Sequence, residues 1–198
     1  MIWFVAGING AGKSTVSTNP VLLSKMGVSA VINPDELARE IWATRGINYG
    51  LANLSAAILT QARVFNETVM SDQPAIAMET VLRTSKYTPI LDIADQRGFK
   101  VGLIYVSVRS VELTLKRIQT RVAAGKHNVP EATVRKRWPE TLKNCAVWAP
   151  KVDELIVFAN NSSSGNLVPV AQKLGKSNAV EIMDHSELPE LTRLLLKV

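Results

Sequence analysis

Gly7, Gly12, Lys13 and Ser14 satisfy the spacing G-x-x-x-x-G-K-[ST] within "GINGAGKST", directly after the apolar run "IWFVA". Glycines at these points let the backbone turn so that several N–H groups converge on an anion, and a following helix adds its positive end. Gly7, Asn9, Gly10, Ala11, Gly12, Lys13, Ser14 and Thr15 are therefore expected to cradle a nucleoside triphosphate. Lys13 would reach the β- and γ-phosphates, and the Ser14 hydroxyl would ligate Mg²⁺. The N-K-x-D signature of guanine-specific switches occurs nowhere in the chain.

Two carboxylates are candidates for what happens to the triphosphate. In "VINPDELARE", Asn33, Pro34 and Glu36 make a strong helix start, so Asp35 has two readings. It is either an acid favourable to the first turn, or a group at the end of a strand that accepts a hydroxyl proton. In "AIAMETVLRTS", Glu79 ends an apolar run, where an acid usually serves a metal or a substrate. Thr80 and Arg83 would line the same cleft.

Arginines form the third group. Arg117 and Arg121 lie four apart on one helix face, before "AAGKHNVP" and "EATVRKRW". An arginine-bearing flap suits phosphoryl transfer, because guanidinium groups neutralise charge on the moving phosphoryl and closure excludes water. His127 in that flap and His185 near the C-terminus read as solvated loop residues.

The elements that must position these groups alternate along the chain. "IWFVAG", "VSAVIN", "PAIAMET", "KVGLIYVSV" and "ELIVFAN" read as strands, the apolar ones buried on both faces. "KSTVSTNPVLLSKMG" reads as one helix distorted at Pro20, and "LANLSAAILTQARVFNETVM" and "SKYTPILDIADQRG" as further helices. "SVELTLKRIQTRVAAG" begins at Ser110 and aligns Val111, Leu115, Ile118 and Val122 on one face. Such alternation predicts an α/β fold: a three-layer α/β/α P-loop NTPase with a mainly parallel sheet of five or six strands and an arginine-bearing lid. Ligands then bind at the carboxyl ends of the strands.

The 198 residues, 46% hydrophobic, fit one domain over 1–198, with the lid near 117–137 and residues 160–198 as its C-terminal extension. "NNSSSGN" reads as a loop within it. A single cysteine, Cys145, excludes an internal disulfide and reads as a small core residue. No apolar run reaches the length of about 20 residues needed to cross a bilayer, and no secretion signal opens the chain, so a cytoplasmic protein is expected. The net charge of +6 favours anionic partners.

The order of these segments, with "NPDELA", "ETVLRTSKY", "RVAAGKHNVPEATVRKRW" and "LIVFANNS", resembles the zeta toxin family of small P-loop kinases across nearly the whole chain. That resemblance implies transfer of phosphate from ATP to a sugar hydroxyl of UDP-N-acetylglucosamine, and a small antitoxin as partner. Carried onto this sequence, it makes Lys13 and Ser14 ligands of ATP and Mg²⁺ and Asp35 the catalytic base. Glu79 and Thr80 become substrate-binding, and Arg121 and Arg135 the arginines that grip phosphate, with Arg117 or Arg137 able to replace one of them. Many relatives read Asp-Asn-Ser where this chain has Asn160, Asn161 and Ser162. Two alternatives keep the nucleotide site: a polynucleotide or nucleoside kinase using the basic segment, and a regulatory ATPase without an acceptor. Aromatic residues are nearly absent from the basic segment, Trp138 excepted, which disfavours a single-strand nucleic-acid surface.

Overall fold

The computed structural model describes residues 1–69, 75–83, 87–125, 128–162 and 165–198. Element order is β1 (Ile2–Ala6), α1 (Lys13–Ser17), α2 (Pro20–Lys25), β2 (Val28–Ile32), α3 (Pro34–Arg45), α4 (Tyr49–Val69), β3 (Ala75–Thr80), α5 (Thr88–Gln96), β4 (Val101–Ser107), α6 (Val111–Ala123), α7 (Glu131–Trp148), β5 (Glu154–Ala159), β6 (Val168–Leu174), β7 (Glu181–Ile182) and α8 (Pro189–Leu195). The strands form one sheet in the order β2-β3-β1-β4-β5-β6-β7.

From β2 through β5 every pairing is parallel, whereas β6 and β7 join antiparallel. The sheet thus has seven strands among the described residues, more than the expected five or six. The additions carry weak sequence signals. β7 is two residues long, and β6 contains Pro169 beside a register shift, a place that tolerates a missing N–H donor. By contrast, β1 and β4 are buried at every position, which is why they read as continuous apolar runs.

Local capping explains where the helices start. The anticipated single helix after the glycine loop is two helices, because Asn19 caps a new one: its side chain accepts from the Leu22 N–H at 3.1 Å, with Pro20 at the first position. Asn33 likewise accepts from the Asp35 N–H at 3.0 Å and starts α3. Ser110 accepts from Leu113 and starts α6, as its sequence predicts. Val122 departs from the anticipated apolar face: it is 38% exposed, while Ile118 and Thr114 carry the buried contact.

The core runs from β1, β4 and β5 into α7 and α8. Trp148 meets Phe4 edge-on at 5.0 Å, and the Tyr105 hydroxyl donates to Thr141 Oγ1 at 3.1 Å. Cys145 lies fully buried on α7, and burial pushes its thiol pKa far upward, so it behaves as a small core residue. No helix among the described residues is long and apolar enough to cross a membrane.

Candidate functional site

The strand register sets the site. Val5 pairs with Glu79 and Ala6 with Thr80 on one side, and Ala6 with Tyr105 on the other. β1 therefore delivers Gly7 to the carboxyl edge of the sheet, flanked by the end of β3 and the end of β4. The chain goes from β1 to β2 and β3 on one side and to β4 and β5 on the other, so the loop after β1 occupies the switch point of the strand order.

Glycine is required there by both conformation and space. Gly7 has φ of 146° and Gly12 of 102°. A Cβ at Gly7 would stand 2.1 Å from the Val106 carbonyl oxygen, and one at Gly12 would stand 2.1 Å from Asn160 Nδ2. Lys13 folds back over its own loop: Nζ donates to the Gly7 carbonyl at 3.0 Å and lies 3.5 Å from Glu79 Oε1. The Lys13 side chain is only 9% exposed and that of Glu79 13%, so this ion pair is largely shielded from water. Burial raises the Glu79 carboxyl pKa, the Lys13 ammonium opposes that rise, and the charges of Glu36 and Asp35 add to it. The Ser14 hydroxyl stands exposed at the mouth of the loop.

Lys13, Asn33, Pro34, Asp35, Glu79, Thr80, Val81 and Tyr87 line one cleft. Tyr87 extends the site beyond the residues picked from sequence. Its hydroxyl pKa is raised by burial and then by the Asp35 charge. Asp35 thus stands on the same rim as Lys13, at the start of α3. Among the described residues no group of three His, Cys, Asp or Glu side chains could hold a metal ion. A P-loop Mg²⁺ needs no such cage, since it keeps several waters and takes oxygens from phosphate, and the Ser14 hydroxyl and Glu79 carboxylate are hard donors of the right kind.

The arginines divide cleanly. Arg117 on α6 reaches the loop, with Nη1 3.5 Å from the Ala11 carbonyl and Nη2 donating to the Ser162 carbonyl at 2.8 Å. Arg121, one turn or about 6 Å further along that helix, is exposed. On α7, Arg137 Nη1 donates to Asn9 Oδ1 at 3.2 Å. Its Nε is buried without a hydrogen-bond partner. Its pKa is lowered by burial first and by the Arg83 charge second, while the Asp35 and Glu140 charges oppose the shift. Arg135 points elsewhere: Nη1 meets Glu112 at 3.0 Å and Nε meets Glu131 at 2.8 Å, all three exposed. Against the loop, then, stand Arg117 and Arg137 rather than Arg121 and Arg135. His127 lies outside the described residues, and His185 is an exposed turn residue.

Three residues that sequence reasoning left unassigned complete the surroundings. Asn160 is buried after β5, with Nδ2 donating to the Ala11 carbonyl at 2.9 Å and Oδ1 3.4 Å from Arg117 Nη2. Glu140 of α7 holds Arg83 Nε at 3.3 Å, and Asn144 of α7 donates to the Leu82 carbonyl at 2.8 Å. Leu82 has φ of 56°, a left-handed conformation that costs a non-glycine residue about 1–2 kcal/mol. Burying its side chain, only 1% exposed, returns about 1.5–3 kcal/mol, and its N–H also donates to Thr80 Oγ1 at 3.0 Å. Packing and hydrogen bonds therefore hold a strained backbone beside the cleft.

Sheet order, loop and cleft together define a P-loop domain of kinase-like fold. A profile described as an AAA domain matches residues 2–138, and the chain belongs to that family. It is 30% identical over 135 residues to an uncharacterized protein of Haemophilus influenzae, across 68% of this chain and 90% of that one. The solved AvrRxo1-ORF1:-ORF2 complex with ATP shares the fold at a TM-score of 0.65 and 16% identity; the match takes in 100% of this chain but only 63% of that one. The PezAT toxin–antitoxin system of Streptococcus pneumoniae shares it at 0.61 and 14% identity, over 85% of this chain and 70% of that one.

Proposed function

We propose that the protein is an ATP-dependent kinase that moves the γ-phosphoryl group to a hydroxyl of a small acceptor, with sugar nucleotides such as UDP-N-acetylglucosamine the first candidates. One observation carries this reading: Asp35 and Lys13 line a single cleft that also feels the half-buried Arg137 guanidinium. A regulatory ATPase would turn the same lysine and carboxylate on a water molecule, so stimulation of turnover by an acceptor separates the two readings.

In this reading the loop from Gly7 to Thr15 binds the triphosphate, and Lys13 leaves the Gly7 carbonyl and Glu79 to meet its β- and γ-oxygens. Ser14 and Glu79 would hold Mg²⁺, which supplies charge neutralisation on the phosphates. The acceptor oxygen attacks the γ-phosphorus, the bond from phosphorus to the ADP oxygen breaks, and the hydroxyl proton passes to the Asp35 carboxylate. Thr80, Glu79 and Arg83 orient the acceptor. Arg117 and Arg137 neutralise the transferring group, the part that the family resemblance assigns to Arg121 and Arg135.

The PezAT match, a toxin–antitoxin system by its own description, supports a small antitoxin protein as partner. Activity is tested by following ATP consumption against a panel of nucleotide sugars. Asp35→Asn is expected to lower acceptor-dependent turnover by about 10²–10⁴-fold. Unchanged transfer by that variant removes Asp35 as the base, and turnover that no acceptor stimulates favours the regulatory reading.

A further inference from the structure

Helix α7 touches both halves of the cleft through one face. Arg137, Glu140 and Asn144 follow at spacings of three and four, which align on one side of a helix. Arg137 meets Asn9 of the glycine loop, Glu140 meets Arg83, and Asn144 meets the Leu82 carbonyl. One helix therefore joins the triphosphate side to the segment leaving β3, with Thr80 at the end of that strand and Arg83 beyond it.

The geometry points to Asn144 as a positioning residue for the acceptor side of that cleft: it holds Leu82 in its left-handed conformation and so fixes Thr80 and Arg83 relative to the glycine loop. This rests on the kinase reading above and adds to it a residue that touches neither nucleotide nor acceptor. Three observations agree. The Leu82 backbone has φ of 56° where an L residue prefers not to be, so its geometry must be imposed by partners. Its two backbone polar groups both have them: the carbonyl accepts from Asn144 at 2.8 Å, and the N–H donates to Thr80 Oγ1 at 3.0 Å. The second bond also orients the Thr80 side chain, so relaxation at Leu82 releases a residue that lines the cleft. Arg83, next in the chain, is exposed and tied only from α7, through Glu140, among the described contacts.

The consequence is a separation of effects. Loss of the Asn144 carboxamide disturbs the acceptor side and leaves the triphosphate cradle, whose contacts come from α6, Asn160 and Arg137, in place. The test uses radiolabelled ATP and a small-molecule bacterial extract as acceptor source, with label transfer measured against ATP concentration and against extract dilution. Asn144→Ala is expected to lower transfer about tenfold, raise the amount of extract needed for half-saturation, and leave the ATP half-saturation within twofold. A displacement of under an ångström suffices for such a loss. Asn144→Asp keeps the size of the side chain but loses the N–H donor, and is expected to lower transfer as Asn144→Ala does, whereas a merely space-filling role would leave it near the parental rate. Transfer by Asn144→Ala equal to that of the parent overturns the proposal while the kinase reading stands. So does a parallel rise in ATP half-saturation, or near-parental transfer by Asn144→Asp. Absence of label transfer by the parent protein overturns both.

Discussion

The choice of arginine can be decided by replacing Arg137 and Arg135 separately with glutamine. Arg137→Gln removes the charge and leaves a neutral amide near the position of the arginine Nε, short of Asn9 Oδ1. In the folded protein that charge has no carboxylate within ion-pair distance among the described residues, a buried Nε without a partner, and a pKa lowered chiefly by desolvation. The free protein thus keeps a cation that the surrounding groups do not neutralise, so its removal should leave Tm unchanged or slightly raised. In the transition state the same cation faces a phosphoryl group gaining charge on its outer oxygens. Loss of one preorganised donor at such a point costs about 10²–10³ in kcat, equal to about 2.7–4 kcal/mol. Arg135→Gln removes only exposed contacts to Glu112 and Glu131 and is expected to keep kcat within twofold. The assay is initial-rate phosphoryl transfer at saturating ATP, with thermal unfolding of each variant as a control. A hundredfold loss in Arg135→Gln together with near-parental rates in Arg137→Gln would refute the reasoning.

Gly12→Ala is expected to destabilise the fold by about 3 kcal/mol in urea unfolding, combining left-handed strain with loss of the buried Asn160 bond to Ala11. The same substitution in an Asn160→Ala background should cost less, and strict additivity would contradict the contact. Glu79→Gln tests the buried carboxylate through pH. The folded pKa lies above the ordinary value of 4.5, so between the two values the folded state holds a proton that the unfolded state has released. Ionisation therefore costs the parent stability as pH rises through that window, and the advantage of Glu79→Gln should grow from pH 4.5 upward and then level off. An advantage that instead shrinks with rising pH would mean that Lys13 outweighs burial.

Much of this arrangement is legible in the chain. Gly7 to Ser14 announces the loop because the glycines are demanded by backbone φ and by close neighbours, and the apolar runs of β1 and β4 announce strands buried on both faces. Asn33, Pro34 and Ser110 mark helix starts through capping, a local effect that spacing alone reveals. The arginines are harder. Arg135 and Arg137 flank the buried stripe of α7 formed by Val134, Trp138, Thr141 and Cys145 on opposite sides, so helical period admits both, and tertiary placement decides which flank meets the loop. Arg117 and Arg121 share one helix face, and only the packing of α6 shows that Arg117 is the one beside Ala11. Leu82 and Asn144 have no sequence signal, since nothing in their residue types marks a left-handed leucine or the helix side chain that holds it. β6 and β7 go unread because a strand containing a proline and a two-residue edge strand lack the apolar run that marks the central ones.

The most direct measurement is mass spectrometry of a bacterial metabolite extract incubated with ATP and the purified protein. The account predicts at least one hydroxyl-bearing metabolite gaining the mass of a single phosphate, with the gain abolished by Lys13→Ala and reduced about 10²–10⁴-fold by Asp35→Asn. ATP consumed with no phosphorylated metabolite formed, or a phosphorylated product that persists at full yield in both variants, would contradict it.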